Sequence, residues 1–121
     1  MSEQILYKQF VVVPKRPRMS KGKIASQVAH ATYLALKKEA KFNKALLELW
    51  EKNGLCVIVL QVQDTHYLKN LAQYLDTWNI TYALYIDEGL TEVPPFTPTA
   101  LATGIIEPEQ YWMFSRLELF K

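Results

Sequence analysis

Leu55 to Val62 (LCVIVLQV) is a near-continuous apolar run of strand length, bounded by Asn53-Gly54 on one side and Asp64 on the other. A strand with one wet face alternates apolar and polar residues, whereas a strand covered on both faces does not. The run therefore predicts a central strand with helices above and below its sheet. Its neighbours supply those helices. Upstream, Ile24, Val28, Ala31 and Ala35 form an apolar stripe at i, i+4, i+7 and i+11, with Ser20 placed to cap it. A second helix is expected from Asn43 through Leu46, Leu49 and Trp50, stopping at Asn53 and Gly54. Downstream, Asp64 can cap a third helix on which Leu68, Leu71, Ala72, Leu75 and Trp78 share a face.

The remaining segments complete an alternating pattern. Phe10 to Val13 continues an apolar stretch that begins near Ile5 and is stopped by Pro14 and Pro17, which reads as a first strand. Ile80 to Ile86 and Thr99 to Ile106 read as further strands, Glu107 to Trp112 as a short irregular or helical piece, and Arg116 to Phe120 as an edge strand. Parallel strands need crossover helices, so this order argues for a parallel or mixed sheet with helices on both faces. At 121 residues with 50% hydrophobic composition, residues 1–121 are expected to form one domain around a single core. The longest unbroken apolar run, Leu55 to Leu60, is about a third of the ~18 to 20 residues of a membrane span. The N-terminal MSEQILYKQFVVV lacks the pattern of a secretory leader, so a soluble cytoplasmic protein is expected. The lone Cys56 excludes an internal disulfide and reads as packing.

Charge is unevenly distributed. Lys15, Arg16, Arg18, Lys21 and Lys23 follow one another with no acid between them, so against a net charge of +2 the rest of the chain carries −3. Such a cluster suits phosphates, although from charge alone a solvated loop is an equal alternative. Its place just before a helix favours docking. In open α/β sheets ligands collect beyond the carboxyl ends of the strands. The basic loop leaves the first strand at that end, and Asp87 leaves another. If the two strands are parallel, both segments project from one edge of the sheet.

Two motifs carry the residues capable of chemistry. In SKGKIASQVAH, Lys23, Gln27 and His30 fall at i, i+4 and i+7, on one helical face. Lys23 would sit in the first turn, where the macrodipole disfavours a cation by roughly 0.3 to 1 kcal/mol, and a bound phosphate or the Asp87 carboxylate would offset that. An exposed lysine in water is the plainer alternative, as is a border histidine held by a backbone carbonyl for His30. In DEGLTEVPPFTPTALATG, Thr91 and Thr99 stand at +4 and +12 from Asp87, separated by Pro94, Pro95 and Pro98, which stiffen the loop. A turn at Asp87 and strand-capping threonines are the corresponding plain alternatives. His30, His66 and Cys56 make no convincing ligand set, so neither a catalytic metal nor a cofactor is expected.

Together these motifs resemble the archaeal and eukaryotic type of peptidyl-tRNA hydrolase. That family opens a helix with GK(I/L)AAQ and a histidine three residues on, matched here by Gly22 to Gln27 and His30. It shares an acid, glycine and threonine, then a proline loop and a second threonine, matched by Asp87, Gly89, Thr91, Pro95 and Thr99, with Leu101 and Gly104 continuing. The resemblance implies an α/β three-layer sandwich around a mixed four- to five-stranded sheet, commonly a homodimer. It also implies metal-independent hydrolysis of the ester joining a peptide to the 3′ ribose of tRNA. Carried over residue by residue, Lys23, Asp87, Thr91 and Thr99 are the expected catalytic group, with His30 and Gln27 in support. Lys15, Arg16, Arg18 and Lys21 are expected to hold tRNA phosphates without reading sequence. Besides Ser26, which stands where that pattern has alanine, two departures bear on the loop: Glu88 replaces a small alanine and Phe96 replaces a glycine after the prolines. A non-catalytic RNA-binding relative, or an interaction domain built on Trp112 and Phe114, are the competing expectations.

Overall fold

The computed structural model describes residues 6–89 and 92–121. The chain runs β1 (Lys8–Pro14), α1 (Lys21–Phe42), α2 (Lys44–Lys52), β2 (Val57–Val62), α3 (Thr65–Thr77), β3 (Tyr82–Asp87), β4 (Thr97–Ile106), a 3-10 helix (Pro108–Phe114) and β5 (Glu118–Leu119). Short polar side chains set the helix boundaries. Ser20 accepts from the Lys23 amide to open α1, and Asp64 accepts from His66 and Tyr67 to open α3. Asn43 serves two helices at once. Its amide donates to Glu39 to close α1, while its side chain accepts from Leu46 to open α2.

The five strands lie in the order β3-β4-β1-β2-β5. β1 is parallel to β2, and β4 is antiparallel to both β1 and β3, so β1 and β3 point the same way. Ala31 and Ala35 of α1 pack on Val11, Ala83, Ala100 and Ala102 on one face of this mixed sheet. These small side chains let the helix lie close to the strands. On the opposite face, Leu68, Ala72 and Leu75 of α3, with Phe114 of the 3-10 helix, cover Phe10, Val12, Leu60, Leu101 and Ile106. The expected α/β sandwich is the observed architecture. Among the described residues no helix is long and apolar enough to cross a membrane.

β2, expected at the centre, lies instead between β1 and the two-residue β5, and β1 takes the central position. Leu60 and Val62 are buried beneath α3, but Val57 on the other face is 41% exposed. The reason is where α1 sits, over β3 and β4 and away from β2. An apolar run reports what its side chains tolerate, not which helix reaches them. The strand buried along all ten of its residues is β4, whose threonines and alanines gave a weaker apolar signal. Phe114 is also core, stacked on Phe10 at 4.5 Å, which removes it from any surface patch.

β4 carries two register shifts. Opposite β3, Tyr85 pairs with Ala100 and Ile86 with Pro98, leaving Thr99 as the extra residue. Opposite β1, Gln9 pairs with Ile105 and Val11 with Ala102, leaving an extra residue beside Phe10. There the Phe10 amide donates to Oγ1 of Thr103 at 3.0 Å. Bulges re-aim side chains and bend strands. The first of them bears directly on the site.

Candidate functional site

Because β1 and β3 are parallel, the segment after β1 and the carboxyl end of β3 emerge at one edge of the sheet, where β4 begins. Lys23 on α1 and Asp87 at the end of β3 meet there. Lys23 Nζ lies 2.8 Å from Asp87 Oδ1, with the two side chains only 13% and 9% exposed. The Asp87 carboxyl is held below its ordinary range, chiefly by the hydrogen bond from Lys23. Burial opposes that lowering, while the Gly89 amide, the Lys23 charge and a hydrogen bond from Gln27 add to it. The ionised carboxylate thus contributes stability above its unfolded-state pKa, and that contribution is lost as pH falls through the folded value. The first-turn lysine has found the facing acid its position called for.

Gln27 extends the cluster. Its Oε1 accepts the hydroxyl of Thr99, and its side chain also hydrogen-bonds Asp87. Thr99 is fully buried, so it touches Gln27 and not the open cavity. In an unbroken strand Thr99 would face opposite to Ala100, which packs beneath α1; the bulge turns Thr99 to the α1 side as well. His30, one helical turn beyond Gln27, is exposed and not held in the core. Its ring stacks on Tyr85 at 4.7 Å between centroids, 22° from parallel. Lys23, Ser26, Gln27, His30, Tyr85, Asp87 and Glu88 line a cavity of about 350 Å³ between α1 and β3.

The loop between β3 and β4 is fastened at several points. The Gly89 amide donates to Asp87 Oδ2 at 2.7 Å, with Gly89 at φ +77°, and a Cβ there would collide with the Pro95 backbone. Thr97 Oγ1 donates to the Pro94 carbonyl at 2.6 Å. Val93 is buried against Met19 and Val13. Phe96, where the family pattern has glycine, lies at φ +61° and is 76% exposed, so its backbone takes the left-handed conformation glycine favours. Glu92 reaches back to the helix cap, its two oxygens accepting from the Ser20 amide at 2.7 Å and hydroxyl at 2.6 Å. Those bonds hold the Glu92 carboxyl below its usual range. Sequence reasoning missed Glu92; its signal was an acid within reach of a capping serine, visible only once β1 and β3 are known to be parallel. Thr91 lies outside the described residues.

On the same edge, Lys15, Arg16, Pro17 and Arg18 line a second cavity of about 460 Å³ with Gln63 at the end of β2. Lys15, Arg16, Arg18 and Lys21 are exposed, and buried Met19 ties their segment to the sheet. Lys15 also lies 3.7 Å from Glu118, a solvated pair of little energetic weight. A flexible polyanion could meet these cations while an attached group reached the Lys23–Asp87 pair. Among the described residues no three His, Cys, Asp or Glu side chains converge on a point suited to a metal ion.

A family model described as Peptidyl-tRNA hydrolase PTH2 matches residues 7–115. The chain is 38% identical over 98 residues to the peptidyl-tRNA hydrolase of Thermococcus onnurineus, covering 81% of this chain and 83% of that protein. It is 33% identical over 103 residues to that of Thermoplasma acidophilum, covering 85% and 88%. It is 34% identical over 98 residues to the mitochondrial peptidyl-tRNA hydrolase 2 of Bos taurus, covering 81% of this chain and 55% of the relative.

Proposed function

The chain belongs to the peptidyl-tRNA hydrolase PTH2 family, and from that premise we propose that it hydrolyses the ester joining a peptide to the 3′ ribose of tRNA at the Lys23–Asp87 pair. The observation that carries the assignment of the site is the 2.8 Å contact between two largely buried, opposite charges at the carboxyl edge of the sheet. Ester hydrolysis needs an oriented water, a counter-charge for the oxyanion and a proton for the departing ribose oxygen. A carboxylate held below its ordinary range is a weak base, so Asp87 acts mainly by fixing the attacking water. Lys23 offsets the charge that develops on the carbonyl oxygen. Thr99 acts through Gln27 as a positioning residue for Asp87, and Thr91 orients the ester or the water. His30 supports the cavity wall from α1.

Lys15, Arg16, Arg18 and Lys21 hold backbone phosphates of the acceptor stem, positioning the ester without reading sequence. The protein works as a homodimer in the cytoplasm and without a metal. Turnover of an N-acetylated aminoacyl-tRNA, undiminished by a chelator and absent for the unblocked ester, is the expected result. Asp87→Asn is expected to lower kcat roughly a thousandfold while tRNA affinity stays within about twofold. Wild-type protein that leaves the blocked ester intact would end the proposal.

A further inference from the structure

Two cavities share this edge of the sheet, and they carry opposite charge. The one beyond β1 and β2 is lined by Lys15, Arg16 and Arg18 with no acid. The one between α1 and β3 is lined by Lys23, Asp87 and Glu88, so its carboxylates outnumber its ammonium by one. Asp87 is spent on Lys23, so the free charge belongs to Glu88, which is exposed at the rim. A polyanion is drawn to the first cavity and repelled from the second. The ester must straddle the Lys23–Asp87 pair, and among the described residues the cavity that this pair lines is the second one, which is open to the group on the ester's other side.

We infer that the cavity walled by Ser26, His30, Tyr85 and Glu88 is the acyl subsite, receiving the side chain of the amino acid esterified to tRNA, with Glu88 selecting cationic over anionic residues. This rests on the hydrolase assignment above. At about 350 Å³ the cavity falls within the ~300 to 1,000 Å³ of small-ligand sites, enough for one residue. The stacked His30 and Tyr85 rings give it a flat wall along which an aliphatic stem can lie. Glu88 then stands where an ammonium or guanidinium at the end of that stem would meet it. The same carboxylate repels an acidic side chain.

The test charges one tRNA body with N-acetylated lysine, glutamate or alanine and compares kcat/KM for the three esters. Wild-type protein is expected to favour the lysyl over the glutamyl ester by about fivefold, the scale of a solvated charge pair. Glu88→Gln should bring that ratio close to one, and Glu88→Lys should invert it. Turnover of the alanyl ester reports separately on the hydrolase assignment. If that ester is cleaved while the lysyl to glutamyl ratio is the same in all three proteins, the acyl subsite is wrong and the hydrolase stands. If Glu88→Gln lowers KM equally for every ester, Glu88 faces the tRNA and the inference is likewise overturned.

Discussion

Glu39 illustrates how a single buried acid can tie elements together at a cost. It is 3% exposed on α1, where its Oε1 accepts from the Ile105 amide at 2.7 Å and its carboxylate also takes the Thr81 hydroxyl. Gly104 makes room for it, since a Cβ there would come within 2.7 Å of Oε1. Burial pushes the Glu39 carboxyl above its ordinary value and the nearby Glu107 charge adds to this, against the two hydrogen bonds. An acid raised by folding stabilises the protein fully below its unfolded pKa, and that contribution is lost as pH rises through the folded value. Glu39→Gln keeps an acceptor for Ile105 and removes the charge. The variant is expected to be more stable than wild type at neutral pH, with the difference shrinking towards acid, as urea unfolding at several pH values would show. Neither Glu39 nor Gly104 stood out in the sequence for this role, because an acid four residues after Ala35 is ordinary on a helix.

Of the elements, the loop between β3 and β4 does most to shape the site. Its prolines were readable as stiffness, but stiffness alone does not say where a loop points. Glu92 settles that by taking both donors of Ser20. With its proton given to Glu92, the Ser20 hydroxyl keeps a lone pair for the Lys23 amide at 3.2 Å, so the loop and the helix cap form one unit. Glu92→Ala is expected to lower kcat about tenfold with KM little changed, because misplacement costs rate more than binding. Glu92→Gln, which retains an acceptor for the Ser20 amide, should recover part of the loss. Ser20→Ala leaves its amide to donate to Glu92 and removes the cap on Lys23, so combined with Glu92→Ala it should cost more than Glu92→Ala alone but less than the sum of the two, because only the hydroxyl bond is shared. Steady-state kinetics beside thermal unfolding would separate this from a general loss of stability.

Across the whole molecule, the parallel arrangement of β1 and β3 sets a cationic segment and a carboxylate side by side, although 64 residues separate Lys23 from Asp87. Affinity for tRNA should fall with salt, with a log–log slope of about −3.6 if four cations each meet a phosphate. Replacing Arg16 and Arg18 by alanine should make that slope shallower by about 2, measured by filter binding across a salt series. The order of helices and strands, the helical face shared by Lys23, Gln27 and His30, and the clustering of cations were all legible in the sequence. Each depends on spacing along a few turns or on local composition. What only the tertiary structure decided was non-local: which strand lies at the centre, that a bulge turns Thr99 towards α1, and that Glu92 closes on Ser20 from 72 residues away. Periodicity encodes which side of an element is apolar. Register and pairing between distant strands follow from packing the whole chain at once.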